Sequence, residues 1–290
     1  NLIKQILWQL FKLPVLLKKE RITVLFTTDA ATLCKFNNMV VMSQDLLPYE
    51  PKIVLESRNF KFILRNIALY FIQNRAFNNA SSVIFLTDYA AKIIRKLNHI
   101  DNYKIINHGV NEDFFLIPKK SKVPSKIINL IYISPILSYK NHINVIDAVN
   151  MLSDEFKVQL SIIGSGDPRL VNIMLSHIKS IDQRGKTFKY LGFIKNENIP
   201  KLLAKSDIFI FASRCEAFGI TLLEGMASGL PIACSNRSAL PELLSDCGLF
   251  FDANDNKSIA ESLRLLIKDP SLRMQLGEKA RNRARKFHWA

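Results

Sequence analysis

A chain of 290 residues is long enough for about two domains, and its 48% apolar content supplies a core for each, which excludes a disordered or fibrous chain. Charged residues make up 22%, and with only 10 Gly and 11 Pro the collagen-like, linker-rich and low-complexity compositions fall away as well. Forty Lys and Arg against 25 Asp and Glu leave a net charge of +15, which calls for an anionic partner: nucleic acid, a membrane surface or a phosphorylated ligand.

In chain order, the first run, Leu2 to Lys19, carries Trp8, Phe11 and four lysines on an amphipathic pattern. It reads either as a surface helix whose apolar face packs on a sheet or as a helix lying on anionic lipid. The chain starts at Asn1 with neither an initiator Met nor a basic-then-apolar signal pattern, so the expectation is a piece of a longer protein. Short β-branched or aromatic runs then alternate with stretches of helical period, the pattern of parallel sheets covered by helices. Strands are predicted at Thr23–Phe26, Met39–Met42, Ser82–Leu86, Tyr103–Ile106, Ile128–Ile133, Gln159–Ile163, Lys189–Leu191, Ile208–Phe211 and Ile232–Ala233. Helices are predicted at Asp88–Leu97, Asn144–Leu152, Arg169–Ser180, Asn198–Ala204, Thr221–Ser228 and Ser258–Lys268.

Between Ile117 and Lys126 stand two prolines, four lysines and two serines, the composition of a solvated linker. It predicts a boundary near residue 120, with domains at 1–120 and 121–290. Residues 1–122 hold 18 basic and 9 acidic groups and the remainder 22 and 16, so the first part is the more basic for its length. No apolar run approaches 18 residues, and no spanning helix is expected. Cys34, Cys215, Cys234 and Cys247 are far apart and form no C-x-x-C pair, which fits a reducing compartment without zinc or disulfides.

The most informative segment runs from Asp207 to Pro231. An apolar strand ends in a loop with Gly219 and a helix starts near Thr221, so a strand's carboxyl end and a helix N-terminus share one crevice, where open α/β sheets bind ligands. The backbone N–H groups of Ile220, Thr221 and Leu222, with the helix dipole, suit a phosphate. Glu216 lies in the loop and Glu224 one turn into the helix; a carboxylate there serves poorly for phosphate but well as acceptor for two sugar hydroxyls. The spacing by itself decides nothing, because 11 glutamates yield about 0.4 such pairs by chance. Gly164-Ser-Gly166 lacks the third glycine of a dinucleotide fingerprint. His108 and His142 have no partner at helical spacing and read as turn or packing residues, and Gln44 and Asp45 read either as ligand contacts or as a turn before Pro48.

Glu216, Phe218-Gly219 and Glu224, followed by Gly225-Met-Ala-Ser-Gly-Leu-Pro231, closely resemble the E-x7-E region of retaining glycosyltransferases of family 4, whose GT-B fold comprises two facing Rossmann-like domains. Tyr132 to His142 resembles the strand and loop that present a lysine, here Lys140, to the nucleotide diphosphate. Leu160 to Pro168 resembles the next strand and its Gly-rich turn. Tyr190 to Ile194 resembles the strand end whose backbone, at Phe193 and Ile194, meets the base, and Leu240–Leu243 with Gly248–Asp252 resemble the closing segments. Val83–Ala91 and Asn107–Phe114 resemble the last strands of the acceptor domain, and Ser43–Pro48 a loop facing the cleft. The resemblance covers roughly residues 20–289. Two departures stand out: Pro135 and Ser134 occupy positions where many relatives carry arginine and glycine, and the family's first strand with its Gly-rich loop is expected before residue 1 while its last helix is expected to continue beyond Phe287-His-Trp289.

The resemblance implies an α/β chain of GT-B fold, with an acceptor-side domain truncated at its start. It implies retaining transfer of a hexose-like unit from a nucleotide diphosphate sugar to a hydroxyl of a glycan or lipid-linked glycan, in cell-surface polysaccharide synthesis. Glu216 and Lys140 take the catalytic roles, and Glu224, Gly219, Ile220, Thr221, Phe193 and Ile194 bind the donor. Gln44 and Asp45 face the acceptor. No metal and no cofactor beyond the sugar nucleotide are expected. The location is cytoplasmic, at the inner face of the cytoplasmic membrane, where an anionic lipid surface meets the basic N-terminal domain. The alternative is a catalytically silent GT-B protein that binds a nucleotide or glycan. No nucleic-acid motif accompanies the charge, so nucleic acid is set aside.

Overall fold

The computed structural model describes residues 2–57, 59–116 and 127–287. The linker-like run 117–126 lies outside the described residues. Contacts divide the chain into two compact units, one of residues 1–107 with 215–218 and one of residues 108–214 with 219–290.

The first unit opens with α1 (Leu2–Leu7), a π-helical turn over Trp8–Lys12, and α2 (Leu13–Lys19). The single amphipathic run is therefore interrupted, and Pro14 supplies the reason. Without an N–H it cannot continue an α-helical ladder, whereas a helix that restarts at Leu13 places it in a first turn, where no bond is required. Next come β1 (Leu25–Thr27), β2 (Met39–Ser43), α3 (Pro51–Leu55), α4 (Phe60–Asn79), β3 (Ser82–Phe85), α5 (Asp88–Arg95) and β4 (Tyr103–Ile105). The four strands form a parallel sheet in the order β1-β2-β3-β4. Val41, Val83, Phe85, Phe77 and Ile94 make its core. The buried–intermediate alternation along β2 is that of a strand in a sheet covered unequally on its two faces.

The second unit contains β5 (Ile128–Ile133), α6 (His142–Ser153), β6 (Val158–Ile163), α7 (Pro168–Ile181), β7 (Phe188–Gly192), α8 (Ile199–Leu203), β8 (Ile208–Phe211), α9 (Ile220–Ala227), β9 (Ile232–Ser235), α10 (Leu240–Leu244), β10 (Leu249–Phe251), α11 (Asn256–Lys268) and α12 (Pro270–Ala284). Its six strands are all parallel, in the order β10-β9-β8-β5-β6-β7. All residues of β8 and β9 are buried, as near-continuous apolar runs in a sheet covered by helices require. The nine predicted strands form. β10 is an addition: three residues, Leu-Phe-Phe, paired with β9 at an edge, too short to carry a periodicity of their own. α4 and α12 lie outside the six predicted helices. Among the described residues no helix is long and apolar enough to cross a membrane.

Candidate functional site

In the second unit, the segments after β5, β6, β7 and β8 leave the same carboxyl edge of the parallel sheet, and the predicted donor residues follow three of these strands, β5, β7 and β8. After β8 the chain runs through Ala212 to Gly219, which takes φ 103°, a conformation that L side chains rarely adopt. That turn aims α9 so that it starts without any side-chain cap. The N–H groups of Ile220, Thr221 and Leu222 have no acceptor within the helix and form, with the dipole, a seat for an anion. Thr221 is half-buried and Ile220 exposed.

Lys140 lies in a 3-10 turn, Ser138–Lys140, after β5 and is only 7% exposed. Its Nζ sits 5.1 Å from the Tyr139 ring centroid and 5.9 Å from that of Phe211, the last residue of β8. Cations are favoured over such ring faces. The turn is fixed from several directions. Tyr132 donates its hydroxyl to the Lys140 carbonyl, and the Arg214 N–H donates to the Tyr139 carbonyl at 2.9 Å. Asn141, in the left-handed region at φ 55°, donates its amide to the carbonyls of Ala212 at 3.3 Å and Ala253 at 3.1 Å, and Asn144 reaches Ala253 at 2.8 Å. His142 is a packing residue: buried, it stacks on Tyr132 at 4.7 Å. Burial first, and the Lys140 charge second, push its pKa down to about 3, so it stays neutral.

Pro135 has a structural explanation. Ser134 and Ile136 are buried and Pro135 between them is exposed, the alternation of an extended segment. The Ser134 N–H donates to Ile163 and the Ile136 N–H to Ser165, so β5 extends along the loop after β6 and leaves position 135 without a ladder bond to make. The two loops run so close that a Cβ on Gly166 would lie 2.2 Å from the Ile136 carbonyl oxygen. Gly166→Ala is therefore expected to push the two loops apart and destabilise the protein by about 1–3 kcal/mol, seen as a lower midpoint in thermal unfolding.

Glu224 is half-buried on α9, and Asn196, in the loop after β7, hydrogen-bonds its side chain. Burial raises its carboxyl to about 7, against a smaller lowering by Asn196. Phe193 in the same loop is 72% exposed and Ile194 half-buried, at the rim of this edge. Asn141, Asn144 and Asn196 are the residues that sequence reasoning passed over; of these, Asn141 carried a signal, since a turn lysine followed by Asn favours a left-handed residue there.

Glu216 and the residues around it group by contact with the first unit. Glu216 is half-buried and close enough to Asp45 for its charge to act on it. Asp45 itself accepts the Leu47 N–H at 2.9 Å, so it closes the turn before Pro48. Burial raises its carboxyl above the usual range, against the pull of the Leu47 N–H and the Arg65 charge. Gln44 is exposed and donates its amide to the Met42 sulfur. Thr87 caps α5 and donates its hydroxyl to the Ala217 carbonyl at 2.9 Å, which anchors the loop beside Glu216.

The sequence pattern of the family described as glycosyl transferases group 1 matches residues 113–283, more than half of the chain. The chain belongs to this family. As a group 1 glycosyl transferase it is 30% identical over 159 residues to the O-antigen chain mannosyltransferase B of Escherichia coli, a match covering 55% of this chain and 42% of that one. The chain thus spans about two fifths of that relative's length. Among solved structures it resembles sucrose-phosphate synthase from Thermosynechococcus elongatus, with a TM-score of 0.79 at 16% identity over 95% of this chain and 72% of the other. It also resembles Anabaena HepE in complex with UDP and glucose, with a TM-score of 0.77 at 18% identity, covering 97% and 78%. At these identities the likeness carries the fold, an α/β chain with two parallel sheets of the GT-B class.

Proposed function

We propose that this group 1 glycosyl transferase moves a hexose-like sugar from a nucleotide diphosphate donor to a hydroxyl of a glycan or lipid-linked glycan, with retention at the anomeric carbon. One observation carries the reading: Lys140, the uncapped start of α9 and the half-buried Glu224 lie on loops leaving one carboxyl edge of one sheet. In this reading Lys140 and the Thr221 amides stabilise the departing diphosphate. Glu224 accepts two ribose hydroxyls, the Phe193–Ile194 backbone meets the base, and Glu216, three residues before Gly219, orients the sugar in an oxocarbenium-like transition state. Gln44 and Asp45 serve the acceptor. Support for a polysaccharide acceptor comes from the mannosyltransferase relative, named for the O-antigen chain, and support for a nucleotide diphosphate from the UDP in the HepE complex. The reaction would proceed at the cytoplasmic face of the membrane, where the basic first 122 residues favour an anionic surface.

The test is a panel of UDP-, GDP-, ADP- and dTDP-sugars followed by thermal unfolding and by hydrolysis, with and without a chelator. A true donor at 100 times its Kd is expected to stabilise the protein by about 2.7 kcal/mol and to be hydrolysed slowly whether or not the chelator is present. If no sugar nucleotide shifts the midpoint, the reading fails. Stabilisation without hydrolysis or transfer to any acceptor would instead mark a silent binding protein.

A further inference from the structure

A groove of about 430 Å³ lies beside β4, the edge strand of the first unit's sheet, lined by Asp88, Ala91, Lys92, Arg95, Lys96 and Tyr103. Lys92, Arg95 and Lys96 stand three and four residues apart on α5 and its C-cap, so they share one helix face, and Tyr103 opens β4. A helix C-terminus favours cations in its last turn, but that preference asks for no order in their side chains. Arg95 is ordered. Its Cζ lies 4.0 Å from the Tyr103 ring centroid, and its Nε donates to the Ile100 carbonyl at 3.1 Å. Stack and bond together hold the guanidinium plane, while its two terminal nitrogens find no acceptor among the described residues. Lys92 and Lys96 likewise have no ion-pair partner among the described residues.

An oriented guanidinium fork flanked by two ammonium groups fits a carboxylate or a phosphate, which takes two parallel hydrogen bonds from the fork. The place of the groove in the fold says what carries that anion. Register sets Val41 beside Val83 and Val83 beside Tyr103, so Tyr103 lies level with Val41, two strands away and three residues short of Gln44. At about 3.3 Å per residue and about 4.8 Å between strands, the backbone at Tyr103 is roughly 14 Å from that at Gln44. An anion in the groove is therefore too far from Gln44 and Asp45 to belong to the reacting group, whereas a glycan laid from those residues covers the distance in a few sugar units. We propose that the acceptor is an anionic glycan and that the groove between α5 and β4 holds one of its carboxylate or phosphate groups, away from the reacting end. The inference rests on the acceptor reading above and gives it a substrate class; it makes no use of the donor residues.

Calorimetric titration of the full chain with tetragalacturonate and with a tetramer of glycerol phosphate, against maltotetraose as the uncharged counterpart, tests this. At least one acidic tetramer is expected to bind about tenfold more tightly than maltotetraose, and less tightly as salt rises. Arg95→Ala is expected to weaken that binding about fivefold, and Lys92→Glu with Lys96→Glu about tenfold or more. Arg95→Lys keeps the charge and loses the fork, so it should recover little of the loss. The three side chains are exposed, so every variant is expected to keep an unfolding midpoint close to wild type and the same midpoint shift with a sugar nucleotide. The titration needs no sugar nucleotide, so failure of the donor reading and failure of this proposal are separate results. Lys18→Glu with Lys19→Glu, exposed on α2, is the control for charge alone and should leave binding within about twofold of wild type at physiological salt. The proposal is overturned if neither acidic tetramer binds better than maltotetraose, or if Arg95→Ala binds like wild type. It is also overturned if the Lys18 and Lys19 variant loses as much as the Lys92 and Lys96 variant. Binding to anionic vesicles that Arg95→Ala abolishes, with both acidic tetramers ignored, would overturn it by assigning the groove to lipid phosphate.

Discussion

Glu224→Gln is expected to lower kcat/KM by about 10- to 100-fold, mostly through KM, and at the same time to make the protein more stable above pH 7. A hydrogen bond to an ionised group contributes roughly 1.5–3 kcal/mol, and each 1.4 kcal/mol is tenfold in affinity. Glutamine keeps the shape but offers a single oxygen where the carboxylate offers two to the ribose. The pH dependence is the sharper signature. With its pKa near 7, Glu224 is protonated at pH 6 and ionised at pH 8. Donor binding by the carboxylate therefore predicts a kcat/KM that rises about tenfold per pH unit below 7 and levels off above 8, and that rise is expected to vanish in the variant. For stability the sign is opposite. The folded pKa lies above the ordinary value of 4.5, so between the two the folded state holds a proton that the unfolded state has lost. Stability falls as pH rises through this window and the loss is complete above 7. Glutamine escapes that loss, so its unfolding midpoint should match the wild type near pH 4.5 and exceed it at pH 8. An unchanged KM, or a pH profile that keeps its rise in the variant, would remove Glu224 from the donor site.

The parts of this molecule that were legible in its sequence are those with a local signal. Local signals survived folding: the apolar run Ile208–Phe211, the turn glycine Gly219 and the helix that follows occur where their pattern places them, because strand, turn and helix each have a period or a residue type of their own. What Lys140 touches did not show. Its turn is held through Asn141 by carbonyls 71 and 112 residues further along the chain, and no window of sequence spans such distances. The burial that raises Glu224 is likewise a product of the assembled edge. Periodicity places Phe60, Leu64, Ile67 and Phe71 of α4 on one face but cannot say whether that face turns in or out, and here it turns out. The π-helical turn before Pro14 left the hydrophobic pattern of the first run intact and so escaped it. Asp45 had two readings in the sequence: its Oδ1 makes the turn bond with the Leu47 N–H, and the acceptor contact stays with the proposal.

Lys140→Met is expected to lower kcat by about 10²- to 10³-fold, the loss found when one preorganised group facing developing charge is removed. The negative charge on the leaving diphosphate is greater in the transition state than in the ground state, so the lysine is worth more there, and kcat should fall further than KM rises. Its surroundings amplify the effect. Only 7% exposed and close to the Tyr139 and Phe211 rings, Nζ acts in a medium that screens charge far less than water does. Methionine preserves the length and apolar packing of the stem, so a thermal unfolding scan that still shows one cooperative transition separates loss of the charge from loss of the fold. Lys140→Arg keeps the charge yet should recover little activity, because a planar guanidinium does not reproduce the compact point charge of a buried ammonium. Single-turnover rates with saturating sugar nucleotide isolate the chemical step. A Lys140→Met protein whose single-turnover rate stays within threefold of wild type would leave the α9 amides as the whole support of the leaving group.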